Sequence, residues 1–130
     1  IFINAIDEPE ASLRATRVVK RLYPTLKIFA RAHDRRHAWQ LMDLGANATR
    51  ETFASGLEMG RDVLIALGMS PEQAAQRTAK FREHDETLLA TQHLIYDDEA
   101  ALVESAKQAR SELEQLFEAD ADDAASASQP

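Results

Sequence analysis

The sequence predicts an α/β fold, the second half of a doubly wound parallel sheet with three strands alternating with helices, followed by three long helices. Three observations predict it. Two Ile/Phe-rich runs, "IFINAI" and "LKIFARA", have the composition of strands buried on both faces and flank an amphipathic helical stretch. The connections between these elements are short, as in right-handed βαβ units. Beyond Thr52 the apolar spacing is helical throughout.

The first strand is the opening run itself. It starts with no preceding turn, so we expect a fragment whose upstream half lies outside this sequence. After "DEP", Ala15, Val18, Val19 and Leu22 recur at helical spacing, giving a helix over about 10–22 that Tyr23-Pro24 ends. Leu26 to Ala32 form the second strand. Asp34 is placed to cap a helix running to Leu44, and Gly45 closes it. The short "NAT" over 47–49 is the third strand.

The helical part opens with Phe53, Leu57, Gly60, Leu64 and Leu67 on one face, ended by Gly68. "SPEQ" then starts a new helix, with Ser70 as cap, Pro71 in the first turn and Gln73 completing a capping box. Its seam reads Ala74, Thr78, Phe81, Asp85, Leu88, Gln92, Ile95, which aligns Asp85 and Gln92 with buried positions. After "YDDE" a last helix carries Leu102, Ala106, Ala109, Leu113 and Leu116. From about Ala119 the tail lacks large apolar residues, and disorder is expected there. The expected organisation is therefore a half-sheet over 1–51, a helical region for dimerisation and regulation over 52–118, and a disordered acidic tail over 119–130.

Several functions are excluded or disfavoured by composition. The 130 residues contain no cysteine, so thiolate metal sites and cysteine nucleophiles are absent. The net charge is −7, but six acids after Ser111 are unbalanced by any Lys or Arg, which leaves about −1 for the rest. No generally basic surface for DNA or RNA exists. There is no run of roughly 20 apolar residues for a membrane span and no secretory signal pattern. The piece reads as soluble.

In a doubly wound sheet, ligands bind outside the carboxyl ends of the strands. Those ends are Asn4 to Asp7, Arg31 to Asp34 and Thr49 to Glu51, so the rim comprises Asn4, Asp7, Arg31, Asp34 and Arg50. Arg50 is either an anion ligand, since guanidinium can grip a carboxylate bidentately, or a surface charge paired with Glu51 or Asp34. Asp85, on an apolar seam, either meets a cationic group or sits where the seam is wet. Gly56 and Gly60 have the spacing of a close helix approach. His33, His37, His84 and His93 read as surface histidines, with no zinc motif. Ser12, Ser55 and Ser70 lack a nucleophile elbow. No catalytic constellation and no glycine-rich phosphate loop is present in the sequence, and the four glycines fall within or at the ends of helices.

The stretches "INAIDEP", "ARAHD", "RETFASGLEMGRDVLIALGMSPEQA" and "FREHD", in that order, resemble the cytosolic regulatory domain of the glutathione-regulated potassium-efflux antiporters, the Kef family. The resemblance covers about residues 1–117, and with "ARSELEQLF" it is similar to the KefB-like branch. It implies a Rossmann-like nucleotide-binding domain of the KTN (RCK N-terminal) type, a non-enzyme, fused to an upstream membrane antiporter that exchanges K+ for H+. Glutathione would hold that antiporter closed and bulky S-conjugates would open it.

Carried onto matching positions, the family's glutathione site corresponds to Arg50 of "RETF" and to Asp85, where KefC-like members have asparagine; Asp34 matches an acidic position of the KefC-like site. The resemblance further implies a homodimer through the helices after Thr52, AMP or NAD(H) in the intact domain with no cofactor inside this piece, an oxidoreductase-like ancillary subunit, and a cytoplasmic domain of a bacterial inner-membrane protein. Two other readings stay open: a nucleotide-gated KTN subunit of another potassium transporter or channel, and a fragment of an NAD-dependent oxidoreductase.

Overall fold

The computed structural model describes residues 1–127, with side chains through Asp120. The elements run β1 (Phe2–Asn4), α1 (Pro9–Leu22), β2 (Ile28–Ala32), α2 (Arg35–Asp43), β3 (Asn47–Arg50), α3 (Phe53–Ala66), α4 (Pro71–His93) and α5 (Glu99–Ala127). The chain divides into two compact units, Ile1–Glu58 and Met59–Pro130.

The first unit is a three-stranded parallel sheet in the order β1-β2-β3, with Phe2 opposite Ile28 and Ala30 opposite Ala48. One sheet face carries α1 and α2. Leu13 of α1, Ala38 and Leu41 of α2, and Ile28, Ala30 and Ala32 of β2 form its core. The alanines on β2 matter here, because a short side chain lets the helices approach the sheet closely. Burying Leu13, Ile28 and Leu41 stabilises the unit by roughly 1.5–3 kcal/mol per side chain. Trp39 is also buried.

The opposite face departs from the expectation of strands buried on both sides. Ile3 is 74% exposed and its neighbour in register, Phe29, 44% exposed. The apolar runs are those of a two-sided buried sheet, yet among the described residues the helices of this unit cover one side only.

Local chemistry sets the element ends. Glu8 caps α1, its carboxylate accepting from the N–H groups of Glu10 and Ala11, and those two bonds hold its pKa below the ordinary value. Asp34 caps α2 by accepting from the His37 N–H at 2.8 Å. Gly45 follows α2 with φ of 75°, the left-handed conformation that glycine adopts without a Cβ clash.

In the second unit, α4 begins at the Ser70 cap with the complete Ser70/Gln73 box. Its three buried residues are Ala74, Asp85 and Gln92, all on the seam read from spacing. α5 packs on α4: Arg77 donates to the Phe117 carbonyl at 3.0 Å and stacks over its ring, Gln92 donates to Ser105 Oγ, and Lys80 pairs with Asp120. α3, which spans the boundary between the units, contributes no buried residue.

The disordered tail expected over 119–130 is corrected for its first part: α5 continues to Ala127. Alanine is the strongest helix former, and Ala119, Ala121, Ala124, Ala125 and Ala127 fall in this stretch. The last three residues lie outside the described residues.

Candidate functional site

The carboxyl ends of the strands gather the charged groups of the first unit. Arg31, at the end of β2, donates from its guanidinium to the Ala5 carbonyl and to Asp7 Oδ1, each at 3.1 Å. Its Nε lies 3.3 Å from Glu51 Oε2, just past β3. The other Glu51 oxygen is 3.0 Å from His33 Nδ1. A chain of charge thus ties the loop after β1, the end of β2 and the end of β3 into one rim. The pairs at Asp7 are solvent-exposed and individually weak, whereas Glu51 is more sheltered and joins two partners.

Arg50 closes β3, paired in register with Ala32. Its guanidinium carbon sits 3.8 Å from the centroid of the Phe53 ring in the first turn of α3. Stacking on an aromatic face fixes the plane of the N–H fork, which lowers the ordering cost of gripping a carboxylate.

Asn4 was expected on the rim but is 2% exposed and serves the core. Its amide donates to the Ser12 carbonyl at 2.9 Å, to Ser12 Oγ at 3.0 Å and to Thr16 Oγ1 at 2.9 Å, and its carbonyl accepts from the Ile6 N–H. Asn4 therefore fixes the turn from β1 into α1. Asp34 uses its Oδ1 to cap α2.

His37, taken for a surface residue, is buried at the start of α2. Its Nδ1 accepts from the His33 N–H at 3.1 Å, so the neutral ring carries its proton on Nε2. That atom is buried with no hydrogen-bond partner among the described residues. Burial pushes the imidazole pKa below its ordinary value, against the opposing pull of Asp34. Among the described residues no group of three or more His, Cys, Asp or Glu could hold a metal ion.

Asp7, Arg31, Asp34 and Arg50 thus lie together at the strand ends of the first unit, while Asp85 is a buried residue of α4 in the second. Beside it on α4, His84 Nε2 lies 3.8 Å from Glu112 Oε2 of α5, at a cleft of roughly 170 Å³ that Thr87, Thr91, Ser105 and Gln108 also line. Gly56 and Gly60 have no atom within 4 Å of where a Cβ would stand, so the close approach their spacing suggested has no neighbour among the described residues. Glu51 and His33 are the rim residues that sequence reasoning passed over. By sequence Glu51 reads only as a partner for Arg50, and His33 as a surface histidine.

Two family models divide the chain at the end of β3. Residues 1–50 match the TrkA-N domain, and residues 55–130 match the potassium efflux system KefB C-terminal domain. The chain belongs to the Kef family. A solved structure described as the Shewanella denitrificans Kef C-terminal domain in AMP-bound form is 38% identical, with a TM-score of 0.68 over 72% of this chain. This Kef chain spans 60% of that structure's length. The parallel sheet followed by long helices is therefore that of a Kef regulatory domain of the KTN type. No described Kef helix here is long and apolar enough to cross a membrane.

Proposed function

We propose that this chain is part of the cytosolic ligand-sensing domain of a K+/H+ antiporter of the potassium-efflux type, gated by glutathione and its S-conjugates, with the membrane antiporter upstream in the same polypeptide. The observation that carries this reading is Arg50, held over Phe53 at 3.8 Å at the carboxyl end of a strand, within a chain of the Kef family. In this proposal Arg50 grips a glutathione carboxylate, and Asp34 and Asp85 are further contacts. The protein is a binding module and performs no catalysis.

The same reading gives α3 a purpose. A helix bearing Leu57, Met59, Val63 and Ile65 and burying none of them is suited to covering a second copy, so the helices after Thr52 form a homodimer in the proposal. A bulky S-substituent would then favour a different packing of those helices, and differential affinity for two packings is sufficient for gating. The AMP of the Shewanella domain's description makes an adenine nucleotide the candidate occupant of the intact sheet, with NAD(H) as the alternative. An oxidoreductase-like ancillary subunit is the further partner proposed.

Calorimetric titration of glutathione, and separately of AMP, into the protein and into Arg50→Ala tests the assignment. Saturable glutathione binding by the parent is expected, weakened by about 30-fold or more in Arg50→Ala, as for loss of one partner of a sheltered charge pair. Equal binding by both proteins would remove Arg50 from the site. Binding of AMP without glutathione would favour the nucleotide-gated relative.

A further inference from the structure

The charge of the chain is segregated. Residues 1–58 carry nine Lys and Arg against seven Asp and Glu, whereas residues 59–130 carry six against fifteen. Within the first unit the cations concentrate further: residues 11–33 contain six, Arg14, Arg17, Lys20, Arg21, Lys27 and Arg31, and no acid. Arg31 belongs to the rim, and Lys20 bonds the Pro24 carbonyl. The others are exposed.

The geometry of α1 places these charges together. At about 100° per residue, Arg14, Arg17, Val18, Arg21 and Leu22 fall within an arc of roughly 140°. The opposite side of the helix is the buried one, with Ser12, Leu13 and Thr16 against the sheet. Three apolar groups are interleaved with the arginines on the outer arc and at its end: Val18 is 44% exposed, Leu22 60% and Tyr23 59%. Arg14 makes an exposed contact of 3.7 Å with Glu8, and Arg17, Arg21 and Lys27 have no carboxylate partner among the described residues. Nothing in the internal packing of this unit uses that face.

We propose that the outer face of α1 docks on the anionic surface of a lipid bilayer. Arg14, Arg17, Arg21 and Lys27 are exposed beside Val18, Leu22 and Tyr23, a cationic and partly apolar face whose charge is complementary to an anionic bilayer. Its composition is that of a helix lying at a membrane interface: long cationic side chains around a few aliphatic residues, with a tyrosine whose ring and hydroxyl suit the boundary between acyl chains and headgroups. Since Leu13 and the buried side of the helix stay in the core, insertion is confined to Leu22, Tyr23 and Val18. Attraction is therefore mainly electrostatic and screened by salt. This goes beyond the ligand-sensing reading and involves none of its residues. If the domain is tethered to a membrane transporter as proposed above, weak attraction is enough to orient it.

The chain as a whole carries −7, so general attraction to an anionic bilayer is absent and any binding must come from a local patch. The test is co-sedimentation of the protein with vesicles of phosphatidylglycerol and phosphatidylcholine at low ionic strength, with pure phosphatidylcholine vesicles as control. Binding to the mixed vesicles alone is expected, reversed by added salt. Arg17→Gln with Arg21→Gln should lower the partition coefficient by roughly fivefold per cation removed, about 25-fold together. Both positions are exposed on a helix, and circular dichroism checks that the variant is folded.

Absence of binding to the mixed vesicles would overturn the proposal, as would equal binding to phosphatidylcholine or by the double variant. The rival occupant, the acidic helices of a second copy, would show itself by light scattering at low salt as a mass that falls in the double variant without any vesicle binding. That outcome also overturns it.

Discussion

The two units of the chain solve the burial problem in different ways. In the first, a small sheet and two helices enclose Leu13, Ile28 and Leu41, and the polar groups drawn inside, such as Asn4, Ser12 and Thr16, bond one another. In the second, the buried positions of α4 and α5 among the described residues are Ala74, Asp85, Gln92 and Ala109, two alanines and two polar residues, while Met59, Val63, Leu67, Leu94 and Val103 stay exposed. A unit with that little apolar core gains much of its stability by covering its helices with another surface, whereas the first unit can hold a rim of side chains in fixed geometry by itself. In the proposed function, ligand reading falls to the first unit and the response to the second, whose helices bury little apolar surface.

Substitutions in the two units should differ in effect. Leu41→Ala, in the first core, should cost about 2–5 kcal/mol, read from denaturant unfolding followed by the fluorescence of the buried Trp39. Leu67→Ala, in the exposed part of the second unit, should change stability by less than about 0.5 kcal/mol for the isolated chain. Similar losses at both positions would mean that the second unit has a core of its own.

A smaller loss, about 1–3 kcal/mol, is expected for Asn4→Ala in the same assay, because Ser12 and Thr16 then keep buried groups that have lost their donor. A negligible effect would place Asn4 back on the rim as a ligand group.

The smallest effect is one of pH. The His37 pKa is lowered in the folded state, so below an unfolded value of about 6.5 the unfolded chain takes up a proton that the native ring resists. Stability contributed by neutral His37 is complete above that pH and falls as the pH drops through it. Thermal melts between neutral and mildly acidic pH should show this decline, and His37→Gln should flatten it.

Much of the fold was legible because its signals are local. The Asp34 cap, the Ser70/Gln73 box and the glycine at Gly45 each act over one to four residues, and all three stand where spacing put them. The α4 seam was legible for the same reason: its period alone marked Asp85 and Gln92 as inward positions. The rim was not. Arg31 meets Asp7 across 24 residues, and Glu51 meets His33 across 18, separations that no periodicity encodes. Asn4 misled because a polar residue at a strand end reads as a ligand group until the hydroxyls of Ser12 and Thr16 are seen beside it. Ile3 and Phe29 look buried from composition, which records hydrophobicity and not which face has a cover. In the tail, low apolarity masked the helix propensity of its alanines.

In the proposed function the rim reads glutathione and the helices respond. Hydrogen–deuterium exchange of the protein with and without glutathione, repeated on Arg50→Ala, tests both halves together. Slower exchange is expected at residues 50–53 and in α4 around Asp85 for the parent, with neither change in the variant. Unaltered exchange at 50–53 in a protein that calorimetry finds bound to glutathione would contradict the account, because the ligand would then be held away from Arg50.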